Sequence, residues 1–304
     1  MDPFEQGHTA CPFCKGRDLE LLHAGGSHPY LKDHGPWDLH LCRHCGSLVT
    51  DPLPSDADLQ RLYASFKGGM IPSIRQLRDR YPLHAWYEQC MLHALRFAGR
   101  EPDPGQVFRW MDLGAGGGEL SALLSERFPL SKGVALDVSE RPHSLEGLAN
   151  IDWVRQGFSE SQDVPPETPP DLALSITVIE HLAHPDAFLR QWIGALAPKG
   201  CLYLTSPRSD CTAFRWMGRR WPYYLPGEHL HIPSREGMSI LLHRICSELF
   251  GAGNYEVHVH SVVLPYPLGY FLGYFGLSGK RVGGIYSMPV RVPTGLLEAA
   301  VRRK

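Results

Sequence analysis

This sequence has no excess charge of either sign: thirty Lys and Arg stand against thirty-two Asp and Glu, a formal net charge of −2. A balanced surface without a basic stripe argues against a nucleic-acid clamp or a binder of anionic membranes. The opening residues MDPFEQGHTA have neither the basic n-region nor the apolar h-region of a secretory signal. No run of about 18 uninterrupted apolar residues occurs, so no spanning helix is expected. Eight cysteines without an export signal indicate a reducing compartment, where paired cysteines serve as metal ligands more often than as disulfides. The expected setting is the cytoplasm, and the expected class a bacterial-type enzyme. A length of 304 residues at 43% hydrophobic content allows one large domain or two smaller ones with a sizeable core. Sixteen histidines raise the prospect of acid–base or metal chemistry only slightly.

The residues that are present organise around Val107 to Glu119, VFRWMDLGAGGGE. An apolar run ends in Asp112, glycines follow at 114, 116, 117 and 118, and Leu120 to Phe128 has the pattern of a helix. A strand, glycine turn and helix brings a nucleotide-like ligand close to backbone N–H groups. A second short apolar strand, Gly133 to Asp137, ends in an acid 19 residues beyond Gly118, where a carboxylate can accept hydrogen bonds from ribose hydroxyls. Further strands are predicted at Ile151 to Arg155, Asp171 to Ile176, Cys201 to Thr205 and Tyr255 to Val263, with helices at Asp186 to Leu196 and Ser234 to Phe250. Residues 161–170 form a Pro-rich surface loop. Strands alternating with helical stretches indicate an α/β, doubly wound, mostly parallel sheet.

The N-terminal fifty residues carry Cys11-Pro12-Phe13-Cys14 and Cys42-Arg43-His44-Cys45, two Cys-x-x-Cys knuckles with 27 residues between Cys14 and Cys42. One knuckle alone would suit a redox pair. Two at this spacing supply four thiolates for a structural zinc tetrahedron, with His8, His40 or His44 as alternative ligands. The short strands between them complete a small zinc ribbon over 1–52, whose fold depends on the ion. Residues 53–104 are expected to form a helical linker or cap. A short helix capped by Ser55 or Asp56 precedes a longer one over Ile74 to Phe97, interrupted at Pro82. Residues 105–304 form the main domain. Within it, 206–231 is an aromatic and basic insertion over the C-terminal edge of the sheet. Residues 265–277 are apolar and aromatic, suited to core, to a dimer contact or to a lipid-facing lip. Gly295 to Arg302 has the composition of a short final helix.

The pattern Asp112-x-Gly114-x-Gly116-x-Gly118 followed by Asp137 resembles the S-adenosylmethionine site of class I methyltransferases. Val178-Ile179-Glu180-His181-Leu182, then LAPKGCLYLTSP, then GEHLHIPSREGMSILL follow in that family's order. CPFC and LHLCRHCGSLVTDPLPSDADLQRLY resemble the zinc-binding leader of bacterial methyltransferases from polysaccharide and secondary-metabolite pathways. A dehydrogenase pattern would need a glycine where Glu119 stands. The resemblance implies a seven-stranded Rossmann-like sheet with the small ribbon at its N-terminus.

It further implies that Asp112, Gly114, Ala115, Gly116, Gly118, Asp137, Val138 and Thr177 hold the cofactor, with Phe158 packing on its base. His181 is the first candidate base, because the end of the fourth strand faces the transferred methyl in this fold. His229 and His231 are the next, since Glu228-His229-Leu230-His231 resembles the catalytic Glu-His segment of deoxysugar C-methyltransferases. Thr177 stands where ubiquinone-type O-methyltransferases carry the first Glu of a cation-linked Glu-x-x-Glu-His set, so that metal is not carried over. Arg208, Arg215, Trp216 and Tyr224 are candidates for the acceptor side, the arginines for gripping a phosphate or carboxylate. The implied reaction is O-methylation of a sugar, glycan or secondary-metabolite hydroxyl. C-methylation of a nucleotide-linked keto-sugar is the alternative within the family, and a zinc-ribbon nucleic-acid binder the alternative outside it.

Overall fold

The computed structural model describes residues 10–28, 35–55, 57–59, 61, 83–157, 169–267 and 289–304. Five parallel strands form the centre of a seven-stranded sheet: β4 (Arg109–Leu113), β5 (Lys132–Asp137), β6 (Ile151–Arg155), β7 (Leu172–Ile176) and β8 (Cys201–Pro207). With β10 (Tyr255–Pro267) and β11 (Pro289–Arg303) the order is β10-β11-β8-β7-β4-β5-β6, and the last two strands run antiparallel. The chain moves outward from β4 through β5 to β6, then crosses back to β7 on the other side. This reversal opens a crevice beyond the C-terminal ends of β4 and β7, the position where doubly wound sheets bind ligands.

Both faces of the sheet are covered, so its strands are apolar at nearly every position. Met111, Ala173, Leu202 and Leu204 pack with Trp192 and Ile193 of a helix over Pro185–Gly194 and with Leu241 and Ile245 of a helix over Arg235–Phe250. Their neighbours Trp110, Leu172, Leu174 and Tyr203 face the opposite core, shared with helices over Leu83–Ala98 and Glu119–Arg127. In chain order these helices are α1 (Leu83–Ala98), α2 (Glu119–Arg127), α3 (Pro185–Gly194), α4 (Thr212–Met217) and α5 (Arg235–Phe250). α1 begins directly after Pro82, where the sequence places an interruption; the part of that expected helix before residue 83 lies outside the described residues. Ser55 caps the first short helix, its hydroxyl accepting from the Asp58 N–H at 3.2 Å.

One expectation is corrected. Residues 295–302 lie in β11, not in a helix. Leu, Glu and Ala favour a helix in isolation, but Leu297, Ala299 and Val301 bury one face of a strand hydrogen-bonded on both sides, to β8 and β10. Packing overrides the weak intrinsic preference. Phe158, residues 161–168 of the Pro-rich loop and residues 268–277 of the apolar segment lie outside the described residues.

The ribbon strands β1 (Leu19–Gly26), β2 (Trp37–Cys42) and β3 (Leu48–Asp51) form an antiparallel sheet completed by β9 (His231–Ile232), which comes from the main domain. Leu48 and Val49 of β3 pair with Ile232 and His231. Cys11, Phe13, Cys42, Cys45 and Val49 belong to the same apolar cluster as Met111 and Leu241. The ribbon and the main domain therefore share one core and one sheet.

Candidate functional site

Every cofactor position named by the sequence and described in the structure lies at the C-terminal end of a central strand or in the loop that follows it. Gly114 has φ +81°, and a Cβ there would stand 2.4 Å from Val178 Cγ2 across the crevice. Gly116 has φ +54° and open space where its Cβ would be. The first glycine is required by protein packing; the second leaves room for a ligand.

The loop's donors are largely used within the protein. Gly114 and Ala115 both donate to the Leu136 carbonyl at 2.9 Å, Gly118 donates to the Ala115 carbonyl at 2.8 Å, and Gly116 donates to Asp137 Oδ2 at 2.8 Å. A pyrophosphate needs such N–H groups free. Here they brace the loop against β5, and the charged groups clustered around it are acids. Asp112 is buried, with Oδ2 accepting from Ser121 Oγ at 2.7 Å. Burial raises its pKa to about 7, and the nearby Asp137 and Glu119 carboxylates push it in the same direction. A set of three clustered carboxylates suits a cationic ligand and disfavours an anionic one. Val138, after the end of β5, is 52% exposed beside Asp137. Thr177, after β7, adopts φ +54°, an uncommon conformation for a β-branched residue. It is held by its N–H to the Thr205 carbonyl at 3.0 Å.

The structure brings Glu180, His181 and His229 together: one ligand-type atom from each lies within 4.8 Å of the others. The Glu180 carboxylate is buried, with no hydrogen-bond partner on either oxygen among the described residues. Burial lifts its pKa to about 7. His181 Nδ1 donates to the Glu228 carbonyl at 3.1 Å, and His229 Nδ1 donates to the Tyr223 carbonyl at 2.8 Å. Both bonds fix the tautomer, because a carbonyl can only accept, and leave Nε2 as the basic nitrogen on each ring. The two rings meet edge to face at 4.8 Å between centroids. Burial, and then the adjacent His181, lower His229 to about pKa 4, while His181 is only partly buried. The trio can take up a proton or surround a single bound atom, a divalent cation included. His231 is placed elsewhere: fully buried on β9, it donates from Nε2 to the Ala183 carbonyl at 3.1 Å and meets Phe13 edge-on.

Cys11 Sγ lies 3.7 Å from Cys45 Sγ and Cys14 Sγ 3.5 Å from Cys42 Sγ, with all four sulfurs within 4.8 Å of one another. The close contacts run between knuckles rather than within them, as a shared ion requires and a redox pair does not. A zinc tetrahedron with bonds of about 2.3 Å has edges of about 3.8 Å. The Cys11–Cys45 hydrogen bond pulls Cys45 down and pushes Cys11 up, and burial pushes Cys14 up to about 12; a cation would relieve this sharing of protons. No histidine joins the set among the described residues. The sulfurs abut the start of α5. Ser47 Oγ lies 3.2 Å from Cys45 Sγ and accepts the Ser234 N–H at 3.0 Å, and Ser234 Oγ donates to the Cys45 carbonyl while capping the Gly237 N–H.

The acceptor-side candidates separate. Arg208 is buried at the end of β8, held to Asp210 at 3.2 Å, with Nε unpartnered among the described residues. Trp216 is 86% exposed, and Arg215 beside it on α4 is also exposed. Tyr224 is buried against the ribbon, edge-on to His23 at 5.4 Å. Sequence reasoning missed His28. It is buried, and its Nε2 lies 2.8 Å from Glu228 Oε2, a contact between residues 200 positions apart that no local motif signals.

Comparison with known proteins identifies the family and the fold. A family model described as "Methyltransferase domain" matches residues 82–245, more than half of the chain. The trans-aconitate 2-methyltransferase of Methylobacterium nodulans is 34% identical over 100 residues, 33% of this chain and 38% of that protein. The enzyme of the same name from Methylobacterium radiotolerans is 33% identical over 98 residues, 32% of this chain and 37% of that protein. The chain thus spans less than two fifths of the length of these curated relatives. Among solved structures, the plantazolicin methyltransferase BpumL in complex with a monoazolic desmethylPZN analog and SAH superposes with a TM-score of 0.54 at 14% identity, covering 81% of this chain and 94% of that one. At that identity the likeness concerns the fold.

Proposed function

The chain belongs to the methyltransferase-domain family, and from that membership we propose that it transfers the methyl group of S-adenosylmethionine to a hydroxyl of a small-molecule or glycan acceptor. The observation that carries the reading is the glycine loop whose N–H groups are spent on β5 and Asp137 beside a cluster of three carboxylates. That site favours a sulfonium and an ammonium over a pyrophosphate. The bound cofactor supplies an activated methyl carbon, so the protein must align the acceptor and take its proton. Asp137 would hold the ribose and Asp112 the cationic methionyl end, with Gly116 leaving room for close approach. His181, with Nδ1 anchored and Nε2 basic, would take the acceptor's proton, and the cofactor when bound would supply the methyl group and leave as the neutral thioether. His229 and Glu180 surround that proton's destination. Arg208, whose Nε has no partner among the described residues, is the candidate to meet an anionic group of the acceptor. We further infer that Cys11, Cys14, Cys42 and Cys45 hold one structural zinc, with no open position for chemistry.

The test is methyl transfer from labelled cofactor, using the zinc-loaded protein and a panel of sugars, glycans, phenols, keto-sugars and carboxylates. The last class is included because the curated relatives are named for trans-aconitate. The reading expects transfer to a hydroxyl, and kcat lowered about 100-fold in His181→Ala with cofactor affinity unchanged. Transfer that requires a ketone would favour C-methylation. A His181→Ala variant with full kcat, beside a His229→Ala variant that loses it, would move the base to His229.

A further inference from the structure

We propose that His28, carried by the ribbon, is a positioning residue for the proton-accepting His181. The proposal rests on the reading of the histidine cluster given above. His28 is 1% exposed and follows the end of β1, whose hairpin closes over the turn at 221–228. That closure is tight. Gly227 lies flat on the Trp37 ring, where a Cβ would stand 2.3 Å from Cζ3, and Arg219 donates to the Ala24 carbonyl at 3.0 Å. Within this seam the Glu228 carboxylate is buried, and burial alone would raise its pKa. The His28 hydrogen bond and the adjacent His229 and His181 bring it below the ordinary carboxylate value, so it is an acceptor and His28 Nε2–H is the donor.

Glu228 is thereby held at its side chain by the ribbon. Its main chain is held by the bond from its own N–H to the Leu225 carbonyl at 3.0 Å. The carbonyl of this doubly fixed residue receives His181 Nδ1–H. The order of support is ribbon His28, then Glu228, then His181, and it ends on the ring whose Nε2 the reaction uses. A second-tier hydrogen bond of this kind sets tautomer and ring angle without touching the substrate. The ribbon is therefore part of the catalytic frame.

The experiment is imidazole nitrogen NMR on the full, zinc-loaded chain, with His181 assigned by subtraction in His181→Gln. In the wild type, His181 is expected as the Nδ1–H tautomer, and His28 Nε2–H as a slowly exchanging proton that disappears in Glu228→Ala. In His28→Ala, and in His28→Phe, which keeps the ring volume, His181 should shift to a mixture of tautomers. His28→Gln, whose amide can donate to the carboxylate, should restore the wild-type pattern. S-adenosylhomocysteine affinity should stay within twofold throughout. A His181 tautomer unchanged in folded His28→Ala or His28→Phe overturns the proposal. Should neither variant fold, a wild-type spectrum lacking the protected His28 proton overturns it, and one showing both that proton and the Nδ1–H tautomer supports it. A wild type that does not bind S-adenosylhomocysteine refutes the parent reading instead, whatever the tautomers show.

Discussion

Gly114 and Gly116 are two residues apart, both at positive φ, and serve different ends. Gly116→Ala meets nothing in the protein, so its stability cost should be about 1–2 kcal/mol from the left-handed backbone alone. Its methyl group would enter the ligand's space, and cofactor affinity should fall at least tenfold. Gly114→Ala adds a collision with Val178 and should destabilise the fold by about 3 kcal/mol or more. Paired denaturant unfolding and calorimetric titration separate the two; equal effects on folding and binding at both positions would contradict the assignment. Asp112 gives a pH signature. Its carboxyl, raised to about 7 in the free protein, must be ionised to meet a cation. Affinity should be flat above pH 8 and fall toward tenfold per unit below about pH 7, with proton release on binding. Titrations across pH 5.5–8.5 should show this slope in the wild type and lose it in Asp112→Asn. These positions could be named from the sequence because strand, glycines and acid are neighbours in the chain. The sequence did not disclose that the loop's donors are already spent, since that depends on the Leu136 carbonyl of the adjacent strand, nor His28, whose partner is distant in sequence.

Most elements could be read from apolar periodicity bounded by Gly and Pro, and α5 was legible down to its Ser234 cap. β11 was misread because a fully inserted strand with Ala and Leu on it carries no alternation. Its Glu298 shows how it is pinned. The carboxylate accepts from Tyr203 of β8 at 2.8 Å and pairs with His93 of α1 at 2.7 Å. Burial works against its charge, but these two bonds hold its pKa below the ordinary carboxylate value. Glu298→Ala removes the carboxylate partner of Tyr203 and His93 and should cost roughly 2–4 kcal/mol in urea unfolding at pH 7. A depressed carboxylate contributes above its unfolded pKa and ceases to contribute as pH falls through the folded one. The penalty should therefore shrink toward acid pH; a penalty that grows there would contradict the pairing.

For the molecule as a whole, the consequential feature is the seam between ribbon and sheet. The sequence separated the cysteine module from the main domain, whereas β3 pairs with β9 and the sulfurs rest on the start of α5. On the proposed zinc assignment, chelation should remove about one zinc per chain and lower Tm by more than about 5 °C. Hydrogen exchange should rise across 231–238 as well as across 11–51. A rise confined to 11–51 would show a ribbon that opens independently. The central claim, a crevice built for a cationic methyl donor, is tested most directly by calorimetric titration of the zinc-loaded protein with S-adenosylmethionine and with NAD at pH 8. One S-adenosylmethionine bound per chain and no measurable NAD binding is the result predicted; NAD binding at that site, or no S-adenosylmethionine binding, would contradict it.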